Sequence, residues 1–172
     1  IFDADGTNPI KVVSSDTSTF DEFALSVAIG NSKIAAGMLG ADDAGDASGS
    51  AFIYDLDGTN EVKLTASDAA SGDRFGSAVA IGNSKVAVGA RTEGTGGAVY
   101  VYNLDGTGEV KITPSDTASG DEFGRSVAIG NSKVYVGAPK DDDNGSTSGS
   151  VYIYNLDGTG EVKLTPSDGR SF

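Results

Sequence analysis

One stretch of text governs what this chain can fold into. Residues 123–139 read FGRSVAIGNSKVYVGAP, residues 75–90 read FGSAVAIGNSKVAVGA, and residues 23–38 read FALSVAIGNSKIAAGM. A second block follows each copy: YDLDGTNEVKLTASD from Tyr54, YNLDGTGEVKITPSD from Tyr102 and YNLDGTGEVKLTPSD from Tyr154. The chain opens part-way into this second block, at Phe2-Asp3-Ala4-Asp5-Gly6-Thr7, and Phe172 reads as the first residue of a further copy. A fixed period of about fifty residues points to a solenoid, a propeller or an array, in which each unit buries its apolar face against its neighbours. The repeat, rather than the chain, is the unit of folding.

Each unit resolves into short strands. Residues 126–129 and 134–137 flank Gly130-Asn131-Ser132-Lys133. Asn tolerates positive φ, so a two-residue Asn-Ser turn makes a tight hairpin. In that register Ile129 faces Val134 and Ala128 faces Tyr135, and the other units pair Ile29 with Ile34 and Ile81 with Val86. One hairpin face is aliphatic. The other pairs Ala28 with Ala35 and Ala80 with Ala87, small enough for close sheet packing. A loop of variable length follows, at 40–50, 91–97 and 140–150, the second being four residues shorter; length variation at one fixed place marks a surface loop.

The third strand carries Phe52 and Tyr54, Tyr100 and Tyr102, or Tyr152 and Tyr154, on one face by period-two spacing. Ile53, Val101 and Ile153 lie on the other, so both faces are expected to be covered. The aromatic set reads as core and not as a ligand-stacking platform, since large aromatics mainly serve burial. Asp57-Gly58, Asp105-Gly106 and Asp157-Gly158 form the next turns. In the fourth strand Val110 and Ile112 point in while Glu109, Lys111 and Thr113 point out, as suits an outer edge that must not pair with strangers. Pro114 and Pro166 end it by denying a backbone donor. The expected fold is all-β: four-stranded antiparallel blades of a β-propeller. Full blades are placed at 23–66, 75–114 and 123–166, with a partial blade of outer strand at 1–16 and the start of another repeat at 167–172.

Composition narrows the function. The chain holds 25 acidic against 12 basic residues, a formal charge of −13. Nucleic acid and anionic membrane surfaces select basic proteins, so neither is an expected partner. An acidic surface suits solubility, divalent cations or basic partners, and a solvated surface is the simplest account. The 25 glycines sit at fixed places in the repeat and read as turns and tight packing. There is no cysteine and no histidine, which excludes disulfides, thiol nucleophiles and His-based triads. No phosphate-cradling loop occurs, no apolar run approaches the roughly 18 residues of a membrane span, and no signal peptide is visible. The start at Ile1, inside a repeat, is expected of a processed or partial product of a longer polypeptide.

Phe75-Gly76, Phe123-Gly124 and Gly137-Ala138-Pro139 resemble the FG-GAP repeat, the unit of integrin-α-like β-propellers, in its bacterial and algal short-hairpin form. Gly89-Ala90-Arg91 and Gly37-Met38 match only in part, and Ala24 stands where the motif has glycine. The resemblance implies a propeller of about seven blades, more than this chain supplies. Further blades, or other copies of the chain, are therefore expected partners. It also implies an extracellular or surface location and, often, adhesion. Integrin-type repeats carry a calcium loop in the first hairpin. Here that hairpin is only Gly-Asn-Ser-Lys, so the site does not carry over.

Calcium has one other candidate seat, the acidic loop Asp141-Asp142-Asp143-Asn144-Gly145 and its counterpart Asp42, Asp43 and Asp46. Calcium takes several oxygen ligands from a tight, glycine-bearing loop. The alternating pattern is incomplete, and the second unit offers only Glu93, so a solvated acidic loop competes with this reading. A second acidic set lies between units: Asp16, Asp21 and Glu22; Asp68 and Asp73; Asp116, Asp121 and Glu122; and Asp168. Its identical placement in every repeat reads as turn chemistry, the carboxylate accepting backbone N–H groups two residues on. Paired carboxylates could in principle hydrolyse glycosides, but carboxylates that repeat with the blade are better explained by the blade, and no enzyme is expected. Asn144-Gly145-Ser146 is an N-glycosylation sequon.

Three functions fit. The first is a non-enzymatic extracellular segment for adhesion or for binding a protein or glycan through loops 40–50, 91–97 and 140–150. The second is a structural building block of a surface layer, fibre or appendage assembled blade to blade. The third is a propeller accessory to an enzyme domain outside these residues.

Overall fold

A computed structural model describes residues 7–16 and 18–167. The readings placed on residues 2–6, Asp168 and Phe172 lie outside the described residues. The fold is all-β, with no helix among the described residues. Twelve strands form three four-stranded antiparallel sheets. The first holds β1 (Val27–Gly30), β2 (Lys33–Met38), β3 (Ser50–Asp55) and β4 (Val62–Leu64); the second β5 (Phe75–Gly82), β6 (Lys85–Ala90), β7 (Ala98–Asn103) and β8 (Val110–Ile112); the third β9 (Ser126–Gly130), β10 (Lys133–Ala138), β11 (Ser150–Asn155) and β12 (Val162–Leu164). Each is a meander in which strands adjacent in sequence pair, the pattern of a propeller blade.

The first hairpin has the expected register in every sheet: Ile29 opposite Ile34, Ile81 opposite Val86, Ile129 opposite Val134. Asn131 and Ser132 lie at φ +50° and +58°, and the other two Asn-Ser pairs match them. Two successive positive φ values are the type I′ turn, whose twist suits the strands it joins. The second turn differs from the expected Asp-Gly pair. Asn103 C=O accepts from Gly106 N–H at 3.0 Å and Asn103 N–H donates to Thr107 C=O at 2.8 Å. The loop is thus three residues long and closes with Gly106 at φ +84°. Asp105 Oδ1 accepts from the Thr107 backbone N–H and hydroxyl, at 3.0 and 2.7 Å, which holds the loop.

The cores lie between sheets. Ala35, Ala51, Ile53 and Leu64 of the first pack against Phe75, Val86, Val88, Tyr100 and Tyr102 of the second. Val99, Val101 and Ile112 of the second pack against Phe123, Val134, Val136, Tyr152 and Tyr154 of the third. The two faces of β7 therefore serve two cores, as their apolar character required. The phenylalanine that opens each unit wedges edge-on against the aromatics of its own third strand: Phe75 is 5.4 Å from Tyr100 and Phe123 is 5.3 Å from Tyr152. On the last sheet Val151, Val162 and Leu164 are exposed, with no described residue stacked over them.

Glycine sets the spacing between sheets. A Cβ on Gly37 would collide with the carbonyl oxygen of Gly76, and one on Gly89 with that of Gly124. A Cβ on Gly124 would lie 2.5 Å from Ala98 O. Two backbones touch where any side chain would hold them apart. The tips of the first two variable loops are tied to the connector entering the next sheet: Gly72 N–H donates to Asp46 C=O at 2.8 Å, Phe75 N–H to Ser48 C=O at 3.0 Å, and Phe123 N–H to Gly96 C=O at 2.8 Å.

Candidate functional site

The charged residues of the outer strands are not a solvated edge. Glu109 accepts from Ser67 N–H at 3.0 Å, from the Ser67 hydroxyl at 2.5 Å and from Tyr102 OH at 2.8 Å. Glu161 does the same with Ser115 and Tyr154, and Glu61 with Ser15 and Tyr54. Each serine stands on the connector leaving one unit, and each glutamate immediately before the outer strand of the next. A carboxylate that takes a backbone donor and two hydroxyls staples successive units through charge-assisted bonds.

The aspartate after each serine meets the lysine two residues after that glutamate. Lys111 Nζ lies 2.6 Å from Asp68 Oδ2 and 2.6 Å from Glu93 Oε1. Lys63 pairs with Asp16 and, at 2.5 Å, with Asp43. Lys163 holds the fullest set: Asp116 Oδ2 at 2.7 Å, Asp141 Oδ2 at 2.8 Å, and Asp143. Its ammonium also lies over the Tyr152 ring, 5.1 Å from the centroid. Tyr152 OH stands 2.9 Å from Asp116 Oδ1 and 2.7 Å from Asp141 Oδ2, so its single proton serves one of the two at a time. The Ser150 hydroxyl completes the set on Asp141 Oδ1 at 2.9 Å.

The two acidic sets of the sequence thus form one structure. The connector aspartate and the loop carboxylate converge on a shared lysine. The connector residues Asp68 and Asp116 do not accept turn N–H groups two residues on, as expected, because tyrosine and lysine take their oxygens. Asp21, Asp73 and Asp121 do hold backbone, but backwards: Asp73 accepts from Ala70 N–H at 2.7 Å, Asp121 from Ala118 N–H at 2.8 Å, and Asp21 from Ser18 N–H. The lysine was the residue that sequence reasoning missed. Its recurrence at 63, 111 and 163, in step with the Ser-Asp pair, was the available signal.

Titration follows the packing. Burial works to raise the Asp141 carboxyl, but Lys163, Tyr152 and Ser150 outweigh it and hold its pKa below the ordinary value. The same balance depresses Asp116, Asp68 and Asp43. At Asp73 and Asp121 burial outweighs the backbone N–H and the more distant lysine, and pushes their pKa values up. Burial also raises the phenols of Tyr54, Tyr100, Tyr102, Tyr152 and Tyr154, reinforced by carboxylate neighbours, and this keeps them as donors.

Among the described residues, Asp116, Asp141 and Asp143 are the one group of three carboxylates that could share a metal, their oxygens lying within 4.8 Å of one another. The cation they share is the Lys163 ammonium, at distances little longer than the about 2.3–2.6 Å of a calcium–oxygen bond. A calcium ion seated there would have to displace that ammonium. Asp142 lies outside this trio and is exposed. In the first unit Asp42 and Asp43 line a polar pocket of about 180 Å³ with Asp16 and Asp21. There Lys63 and Ser50 hold Asp43, the Ala47 N–H occupies Asp42 Oδ1 at 2.8 Å, and Asp46 contributes its backbone carbonyl to the following connector. Asn144 is exposed, and its side-chain amide donates to Pro166 C=O at 2.5 Å.

Residues 7–54, 59–102 and 107–154 match the family model of the FG-GAP repeat, with its Phe-Gly and Gly-Ala elements at the sheet-to-sheet contacts. The chain belongs to the FG-GAP repeat family. This family is generally non-enzymatic. The second and third matched segments begin in the turn before the outer strand of one sheet and end on the third strand of the next, 107–154 running from just before β8 into β11, and the first ends on β3. A comparison with curated proteins returned no match.

Proposed function

We propose that the chain is a non-catalytic binding segment of an extracellular or cell-surface FG-GAP protein. It would act in adhesion through the loops at 40–50, 91–97 and 140–150, with a protein or glycan as ligand. The observation that carries this reading is the contrast between repeated and unrepeated text. The sheets, staples and lysine clasps recur unit by unit, whereas the loops vary on a common backbone frame, the second being four residues shorter and the first and third differing at five of their eleven positions. Binding residues concentrate on loops that a rigid scaffold positions. Lys140, Asp142, Asp143, Asn144, Ser146 and Thr147 are the exposed residues of the third loop available to a ligand. The test is capture of the chain on glycan arrays and on cell-surface protein panels. Binding lost on grafting the 91–97 loop in place of 140–150, with melting temperature retained, supports the reading; no capture on any surface refutes it.

A second reading, a structural building block assembled blade to blade, is favoured by the apolar faces at the two ends of the stack. Val27 and Ile29 are 66% and 70% exposed at one end, and Val162 and Leu164 are 50% and 53% exposed at the other.

A further inference from the structure

The arginines of the described residues do not follow the repeat. Arg74 stands where the other units have Glu22 and Glu122, Arg91 where they have Leu39 and Pro139, and Arg125 where they have Leu25 and Ser77. The fold gathers these departures where the second loop begins. Burial, and then repulsion from Arg125 and Arg74, lowers the Arg91 pKa against the pull of Glu122 and Glu22. Arg125 is paired with Glu122, but among the described residues Arg74 and Arg91 are in no ion pair. The Nε of Arg91 is buried with no hydrogen-bond partner. A buried donor left unpaired is costly, and a chain of charge −13 has carboxylates to spare for it.

Arg74 and Arg91 line a cavity of about 410 Å³ together with Phe20, Glu22, Asp42 and Asp46. Its walls are the connector and loop of the first unit and the matching parts of the second, all within the described residues. Phe20 supplies an aromatic wall. It holds φ +74° and is 89% exposed. The end of the stack does not account for that exposure. Gly72 and Gly120 occupy the same position with a preceding unit beside them, and a Cβ on either would have nothing within 4 Å. The backbone under the ring is fixed, Gly40 N–H donating to Asp21 C=O at 3.1 Å. Backbone strain of this kind collects at ligand clamps.

The combination selects a ligand by its chemistry. A guanidinium fork takes an oxyanion bidentately. Carboxylates accept hydroxyl donors, and an exposed ring offers an apolar face. A neutral sugar would leave the arginines unmet. An acidic peptide would set its carboxylates against Glu22, Asp42 and Asp46 with no hydroxyls to offer them. An acidic sugar meets every group.

We propose that this cavity binds one acidic sugar residue of a glycan, its carboxylate or sulfate held by Arg74 and Arg91, its hydroxyls by Glu22, Asp42 and Asp46, and its ring face by Phe20. The overall charge of −13 repels a long polyanion, so the sugar carries its oxyanion singly, at a chain end or in an otherwise neutral chain. This deepens the loop-binding reading and rests on it, since the cavity joins the first loop to the start of the second.

The test is calorimetric titration with galactan oligosaccharides of one length: a neutral one, one ending in a galacturonate, and one bearing a single sulfate. At least one acidic form is expected to bind at least about tenfold more tightly than the neutral form, and which of them binds identifies the oxyanion. Arg91→Gln should weaken that binding about tenfold or more, the size of a lost charge-assisted bond. Phe20→Gly should also weaken it while the melting temperature does not fall, which a purely structural role for the ring would not produce. Three results overturn the proposal: no binding of either acidic form, whether or not a poly-glutamate peptide binds; equal binding of acidic and neutral forms; or acidic-sugar binding that Arg91→Gln and Phe20→Gly leave intact. If the chain is still captured through the 140–150 loop on arrays or panels, the loop-binding reading survives that failure.

Discussion

Lys163 Nζ stands 2.8 Å from Asp141 Oδ2, and Asp141 is 2% exposed. Removing the ammonium strands a buried carboxylate. Loss of one partner of a buried pair costs about 3–5 kcal/mol, and exposed pairs are worth ~1 kcal/mol or less. Because Asp116 and Asp143 stay partly solvated, Lys163→Met is expected to cost about 2–3 kcal/mol. Urea unfolding measures it. Lys63→Met is expected to cost less, since Asp16 and Asp43 are both more exposed than Asp141. Equal losses at the two sites would show that burial is not what gives the third clasp its strength.

The same clasp sets a dependence on pH. Asp141, Asp116, Asp68 and Asp43 have depressed pKa values in the folded chain. Such groups stabilise the fold above the unfolded carboxylate value of about 4 and lose that contribution as pH falls through the lower folded value. Asp73 and Asp121 are raised and act in the opposite sense, losing stability as pH rises through the folded value. With the depressed group in the majority, the melting temperature should fall below about pH 4. In Lys163→Met the fall should be shallower, because Asp141 is then better off protonated. An acid limb of unchanged slope would remove the clasp from the explanation.

Chelators should leave the wild-type melting temperature where it is, since lysine already supplies the shared cation of the Asp116, Asp141 and Asp143 trio. Calorimetry with and without EDTA and added calcium decides this. A rise of several degrees on adding calcium would show that a metal displaces Lys163 or binds elsewhere.

Gly89→Ala places a methyl against the Gly124 carbonyl, which neither backbone can vacate without parting the second and third sheets. Overpacking of this kind costs about 1–3 kcal/mol. Gly130→Ala, with open space at the same kind of strand position, is the control and should stay within about 0.5 kcal/mol. Chemical denaturation of the two variants side by side tests whether glycine matters for sheet spacing or only for local backbone freedom.

Phe20 holds φ +74° with its side chain 89% exposed, where the other units have Gly72 and Gly120. A bulky residue in the left-handed region costs about 1–2 kcal/mol, against which glycine adds about 0.4–1 kcal/mol of unfolded-state entropy. Phe20→Gly should therefore stabilise the chain by about 0.5–1 kcal/mol, read from the denaturation midpoint. A loss of stability would mean that the ring makes a contact worth more than the strain.

The sequence by itself determined whatever is local and periodic. Repetition located the four strands of each unit. Asn131-Ser132 dictated a turn with two positive φ values, and with it the register of Ile129 against Val134. Alternation in Val99–Asn103 required cover on both faces. These follow from backbone geometry within a few residues, and the repeated copies show the same pattern in each unit.

Only the tertiary structure decided what the charges do. Glu109 and Lys111 alternate with Val110 and Ile112, and by spacing alone they read as a guarded edge. Their partners Ser67 and Asp68 lie 42 and 43 residues away, on the connector of the preceding unit. Asp141 and Asp116 look like members of separate acidic sets until folding brings both within reach of one ammonium. Gly89 shows the same limit from the other side. In the text it is one glycine among 25. It becomes decisive because a Cβ there would meet the Gly124 carbonyl, and that distance exists only between sheets.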